Sequence, residues 1–420
     1  MGRAILPRLR QGAGGSGGGR GPVAQQVTTL ELFFDLVFVF TITQLTATLG
    51  HDHGWGGAGR AALLLALMWW MYGGYAWLTN SAPPVTPKRR AFLLLGMSGN
   101  FVMALALPHA YSTDRVVFAV GYLVVVLVHA FMYVTESARV TAGMVLQLLV
   151  WNTIAAALVV VGAVVGGSAL VALWITAVLV DTVVPRLAAL TPLRRLDPGE
   201  TPAFTLVPAH FVERHGLMLL IVLGESVLAI GVGVSSGGGH IGAEQVAYAV
   251  ISLALAASLY GAYFGTREDE AAERALEKAP EHRQQAVALN SYGYALVVML
   301  LAVVFTASGL HHALGHPLQP VGLEWAAHLS VGVAGFWVGL AFFRIAIGRH
   351  DVGLRLAGGL VLAVTTWLGT QVSGLVQLVA LMLGSVAILL VEHRLRPILP
   401  PHVELPTTDH TRPGPATEAR

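Results

Sequence analysis

Cysteine is missing from all 420 residues, and charged side chains are scarce at 11%. The first absence excludes disulfides, thiolate metal sites and cysteine nucleophiles. The second excludes a soluble multi-domain protein, because soluble domains carry about 25% charged residues. A formal net charge of +2 leaves no basic field that would attract nucleic acid. Walker A, G-x-G-x-x-G after a strand and G-x-S-x-G are also lacking. ATP-driven transport and the common hydrolase chemistry therefore have no support, no cofactor is implied, and the chain does not read as an enzyme. Alternating polar and apolar strands, the mark of a membrane barrel, do not occur.

What is abundant is apolar sequence, 55% of the chain. Crossing about 30 Å of hydrocarbon takes roughly 17–25 apolar residues in a helix. Twelve such stretches are expected, near 30–49, 60–79, 91–110, 115–135, 141–165, 168–185, 209–234, 243–264, 289–310, 326–347, 352–370 and 372–392. The fold class is thus an all-α polytopic membrane protein with about 12 transmembrane helices. With the N-terminus placed in the cytoplasm, all of the 25 lysines and arginines except Arg60 and Arg115 fall on the cytoplasmic side. That asymmetry matches the positive-inside rule with both termini cytoplasmic.

Composition divides the chain further. Residues 1–27 are Gly-rich and dotted with Arg, and read as a disordered tail without a cleavable signal, so that the first span would serve as an uncleaved one. The first six-helix half covers 28–185, a Pro-containing basic linker 186–208, the second half 209–395, and a Pro-rich polar tail 396–420. The mixed-charge run at 267–285 reads as a solvated helical face. A 6+6 layout invites a search for a repeat. A shift of 182 places Glu31 on Glu213, Ala47 on Ala229, and Thr43 and Gln44 on Glu225 and Ser226.

Acids inside apolar spans are the candidates for chemistry, since each is expensive there. In ELFFDLVFVFTITQL, Thr28 and Glu31 have the spacing of a capping box, which accounts for Glu31 locally. Asp35 lies two turns in, on the face of Glu31 at i+4, and requires a basic partner, a water-filled cavity or a proton. In HFVERHGLMLLIVLGES, His210 and Arg214 share a face, Glu213 and Arg214 have the positions of interfacial anchors, and Glu225 lies too deep for either account. Asp35 with Arg214 is the expected cross-helix pair. His129 and Asp181 belong to the same cytoplasmic half. The outer-loop histidines His51, His53, His311, His312 and His316 lack the fixed helical spacing of a metal motif.

These two segments resemble the low temperature requirement A (LtrA) family of bacterial membrane proteins. The likeness rests on ELFFDLVFVFTITQL at 31–45 and HFVERHGLMLLIVLGES at 210–226, and extends over most of 28–395. It implies a bacterial cytoplasmic membrane and a link to growth in the cold. The first segment is also similar in layout to the first helix of the FSD-motif potassium channels, with Phe34–Asp35 in the motif. Phe33 and Phe34 replace the Phe-Ser pair, and the second half has His215–Gly216 with no acid. The expected function is a proton- or cation-coupled secondary transporter of a small solute. Asp35 and Glu225 would form its relay, supported by Glu31, Gln44, His129, Asp181, His210, Glu213, Arg214 and Ser226. A cation channel and a non-transport scaffold or lipid sensor are the alternatives. Membrane lipids and an unidentified solute or ion are the expected partners, with homo-oligomerisation open.

Overall fold

The computed structural model describes residues 27–52, 54–136, 142–184, 206–236 and 242–395. The two expected tails and nearly all of the 186–208 linker lie outside the described residues. Among those residues every regular element is helical. The first half comprises α1 (Thr29–His51), α2 (Trp55–Ser81), α3 (Pro87–Ala106), α4 (Arg115–Glu136), α5 (Ala142–Val165) and α6 (Gly167–Thr182). The second begins with α7 (Pro208–Ser236) and α8 (Ala243–Tyr260), then a π-helical turn over Gly261–Gly265. It continues with α9 (Glu268–Lys278), α10 (Glu281–Ala288), a π-helical turn over Leu289–Ala295, and α11 (Leu296–Ala313). α12 (Leu323–Ala346), α13 (Gly353–Ala363), α14 (Thr366–Gln371) and α15 (Gly374–Leu395) complete it.

Nine helical stretches among the described residues are long and apolar enough to cross a membrane. Three differ in extent from expectation, the 289–310 span being lengthened through α10 and its π turn to Arg283–Ala313. The 243–264 span continues through its π turn into α9, giving 36 helical residues over Ala243–Lys278. The 352–370 span is broken, because α13 stops at Ala363 and α14 restarts at Thr366.

Local chemistry sets the starts that matter most. Thr28 forms a full capping box with Glu31 at the head of α1. Thr86 caps α3, with Pro87 in the first turn where no amide donor is missed. Pro208 opens α7 in the same way.

The exterior inverts that of a soluble protein. Leu36, Leu127, Leu228, Leu360 and Trp367 are exposed, whereas Glu31, Asp35, Arg214, Glu268, Arg344 and Arg355 are buried. An apolar surface over an ionic interior is what hydrocarbon solvent selects.

In the first half α1 packs on α2 and α3, α3 on α4, α4 on α5, α5 on α6, and α6 returns to α2. In the second half α7 packs on α8 and α11, α11 on α12, α12 on α13, α13 on α15, and α15 returns to α8. α1 joins the halves by packing on both α7 and α11. Glycine allows the closest of these approaches. A Cβ at Gly99 would meet the Gly121 carbonyl across α3–α4 at 3.1 Å, and one at Gly332 would meet Thr306 N across α11–α12 at 2.5 Å.

Candidate functional site

α1 and α7 lie side by side in the same direction. Glu31 meets His210 and Arg214 near the two helix starts, and Thr43 meets Glu225 further along. Near the starts, the Arg214 guanidinium donates to both oxygens of Asp35, Nη2 to Oδ1 at 2.9 Å and Nε to Oδ2 at 3.3 Å. Its Nη1 reaches Glu31 Oε1 at 3.4 Å and also donates to the Thr79 hydroxyl. Tyr72 donates to Asp35 Oδ1 at 2.8 Å. Glu31 Oε2 accepts from the Thr28 amide at 3.0 Å, the Thr28 hydroxyl at 2.8 Å and His210 Nε2 at 3.3 Å. Every partner of the two carboxylates among the described residues can donate, an arrangement that suits their charged forms.

The charge on His210 follows from its neighbour on α2. Asn80 Oδ1 accepts the Val207 amide at 2.8 Å, and its Nδ2 donates to the Val207 carbonyl at 3.1 Å. Those two bonds fix the orientation of the Asn80 amide, so its remaining Nδ2 hydrogen points at His210 Nδ1, 3.0 Å away. His210 Nδ1 must therefore accept, which leaves a neutral ring with its proton on Nε2 facing Glu31. Among the described residues the buried group then holds two carboxylates and one guanidinium, an excess of one negative charge.

A second ionic group has a different balance. Glu268 lies between Arg344 (2.5 Å), Arg349 (3.1 Å) and Arg355 (3.2 Å). Glu392 pairs with Arg344 and Arg355, and Asp351 with Arg344 and Arg349. Among the described residues three acids meet three arginines. The group ties the turn after α8 to the ends of α12 and α15 and the start of α13.

Asp35, Glu31, His210 and Arg214 thus converge, as the sequence predicts for the Asp35–Arg214 pair. Glu31 is more than a cap, since its second oxygen turns to the guanidinium. Glu225 sits apart from them on the same α1–α7 contact, accepting from the Thr43 hydroxyl at 2.9 Å. Thr43 and Glu225 are the two positions the 182-residue shift superposes. Glu213 points away from the group and is exposed. Gln44 is half-buried, and the Ser226 hydroxyl donates to the Leu223 carbonyl within its own helix. His129 and Asp181 stand elsewhere, Asp181 accepting from Tyr122 at 3.3 Å. The 267–285 run is solvated along Arg267, Glu270 and Arg274, but Glu268, Ala272 and Leu276 form a buried stripe, which corrects the reading of an entirely solvated face.

Sequence reading misses Tyr72, Thr79 and Asn80 on α2. A signal exists, because Tyr72 and Thr79 are seven residues apart and so share a face inside an apolar helix. It also misses Glu268, Arg344 and Arg355, which read as charges of cytoplasmic turns.

The apolar exterior, the membrane-length helices and the buried ionic groups define a multi-pass helical membrane protein. The chain belongs to the family described as bacterial low temperature requirement A protein (LtrA), whose model matches residues 26–391. It is similar to the uncharacterized protein RA0937 of Rhizobium meliloti (strain 1021), 29% identical over 293 residues, covering 69% of this chain and 70% of that protein. No solved structure matches.

Proposed function

We propose that the protein is a proton- or cation-coupled secondary transporter of a small solute, with Glu31, Asp35 and Arg214 forming the coupling-ion site and Glu225 a second station. The observation that carries this reading is a fully buried group that sets two carboxylates against one guanidinium, with Asn80 directing the His210 ring proton to Nε2. A net charge in a low-dielectric interior is unfavourable, and one proton or small cation relieves it. The second ionic group sets three acids against three arginines among the described residues and reads as a brace. Glu225 lies about 16 Å further along α7 than Arg214, at 1.5 Å per residue, and so offers a second proton position on the same helix pair.

The same reading includes twelve spans in two six-helix halves, with both termini in the cytoplasm of a bacterial cell. Its support is the neighbour scheme that α1–α6 and α7–α15 share, the Thr43–Glu225 contact at the repeat register, and the one-sided distribution of basic residues. A tie to growth in the cold rests on the family's description alone.

The test uses proteoliposomes holding an internal pH dye, presented with gradients of a panel of small solutes. Wild type is expected to move protons with at least one solute class, and Asp35→Asn with Glu225→Gln to move none. Proton movement undiminished in the double variant would sink the relay. Unitary currents in planar bilayers would replace the transporter with a channel.

A further inference from the structure

Between α2, α4, α5, α7 and the π turn before α11 lies a cavity of about 280 Å³. Trp69, Trp70, Trp77, Phe211 and Tyr292 supply much of its wall, and among the described residues no Asp, Glu, Lys or Arg lines it. The wall is braced before any ligand arrives. Trp69 Nε1 donates to the Gly293 carbonyl at 2.7 Å, and the His215 ring packs between Phe211 (centroids 4.2 Å) and Tyr292 (5.0 Å).

Two imidazoles face this space. His129 is 3% exposed, and its ring nitrogens make no well-formed hydrogen bond, the nearest polar neighbour being the Gly74 backbone. His215 Nδ1 donates to the Phe211 carbonyl at 2.7 Å. A neutral His215 therefore presents Nε2 as an acceptor. A ligand that carries donors and an apolar body would satisfy both rings.

The charge of that ligand follows from the wall and from what stands behind it. Aromatic faces attract cations, most strongly where water is excluded. Tyr72 stacks on Trp69 with centroids 5.3 Å apart and donates its hydroxyl to Asp35, so the cavity backs onto the group with one carboxylate in excess. We infer that this cavity is a binding site for a small organic cation of the ammonium class, its charge over the tryptophan faces and a donor group on the acceptor nitrogen of His129 or His215. The inference concerns binding. A protein that binds such a cation but moves no protons would keep it and lose the transport reading.

The test is intrinsic tryptophan fluorescence of the purified full chain, titrated with choline and with its uncharged carbon isostere, dimethylbutanol. A saturable change with choline is expected, with the isostere at least about tenfold weaker. Trp70→Leu is expected to weaken choline binding roughly five- to tenfold. Trp367→Leu, on the exposed face of α14, should leave it unchanged. Should Trp70→Leu fail to fold, Gly74→Ala serves, because its Cβ would stand 3.0 Å from His129 Nε2 and crowd that wall. No saturable response to choline overturns the inference, as does an equal response to the isostere or full binding in the wall variant.

Discussion

Arg214→Met is expected to be the most damaging single substitution in the chain, lowering stability by about 3–5 kcal/mol. Methionine keeps the apolar stem but ends near the position of Nε, so the guanidinium over the Phe34 and Tyr72 rings, at 5.8 and 5.7 Å, is lost with the charge. What it removes is the positive charge between Glu31 and Asp35, both fully buried. Tyr72, Thr28 and His210 would still donate, but neutral donors do not cancel two anions four residues apart on one helix face. The expected result is a large fall in the midpoint of thermal unfolding in detergent, with poor accumulation in membranes. Charge counting supplies the control. Arg214→Met combined with Asp35→Asn returns the group to an excess of one negative charge, as in wild type, and is expected to recover much of the loss. No recovery would mean that the guanidinium acts through shape and hydrogen bonds, with charge a minor part.

Arg344→Met comes next, with an expected loss of about 3 kcal/mol. Arg344 bridges Glu268, Glu392 and Asp351, which belong to three separate stretches of chain. Its removal leaves Glu268 and Glu392 with Arg349 and Arg355. The loss should be smaller than at Arg214, because Arg349 is 28% and Asp351 53% exposed and solvent screens that edge. The effect should depend on pH in one direction. Burial pushes the Asp351 carboxyl up, but the Arg349 hydrogen bond and the charges of Arg344 and Arg349 outweigh this and hold it below the ordinary carboxylate range. Its contribution is therefore present above the value of a free aspartate and is lost as pH falls through the lowered one. In Arg344→Met that acid-side decline should be shallower, which thermal midpoints taken along a pH series would measure.

Much of this arrangement was legible in the sequence where depth and helical spacing agree. Asp35 lies beyond any cap and Arg214 begins a matching helix, so their pairing followed from the need to neutralise a buried acid. Glu31 was legible only in part, since a capping box explains it locally and nothing local reveals that its other oxygen reaches a second helix. Glu213 and Arg214 are adjacent, and about 100° of helical rotation between neighbours lets only one of them face α1. Which one does so depends on packing across 179 residues of chain. The break between α13 and α14 carries no proline to announce it. Glu268 was hidden for a different reason. Its run is charged enough to read as solvated, and the buried spacing of Glu268, Ala272 and Leu276 shows only at every fourth residue.

The excess carboxylate beside Arg214 is the point on which the coupled-transport reading stands. Infrared difference spectroscopy of the protein in liposomes, taken across a pH series, measures it directly. A protonated-carboxyl stretch is expected to appear as pH falls while the protein stays folded, and to be lost in Asp35→Asn or in Glu31→Gln. A spectrum with no such band at any pH the fold survives, or a band that both variants retain, would contradict a proton site in this group.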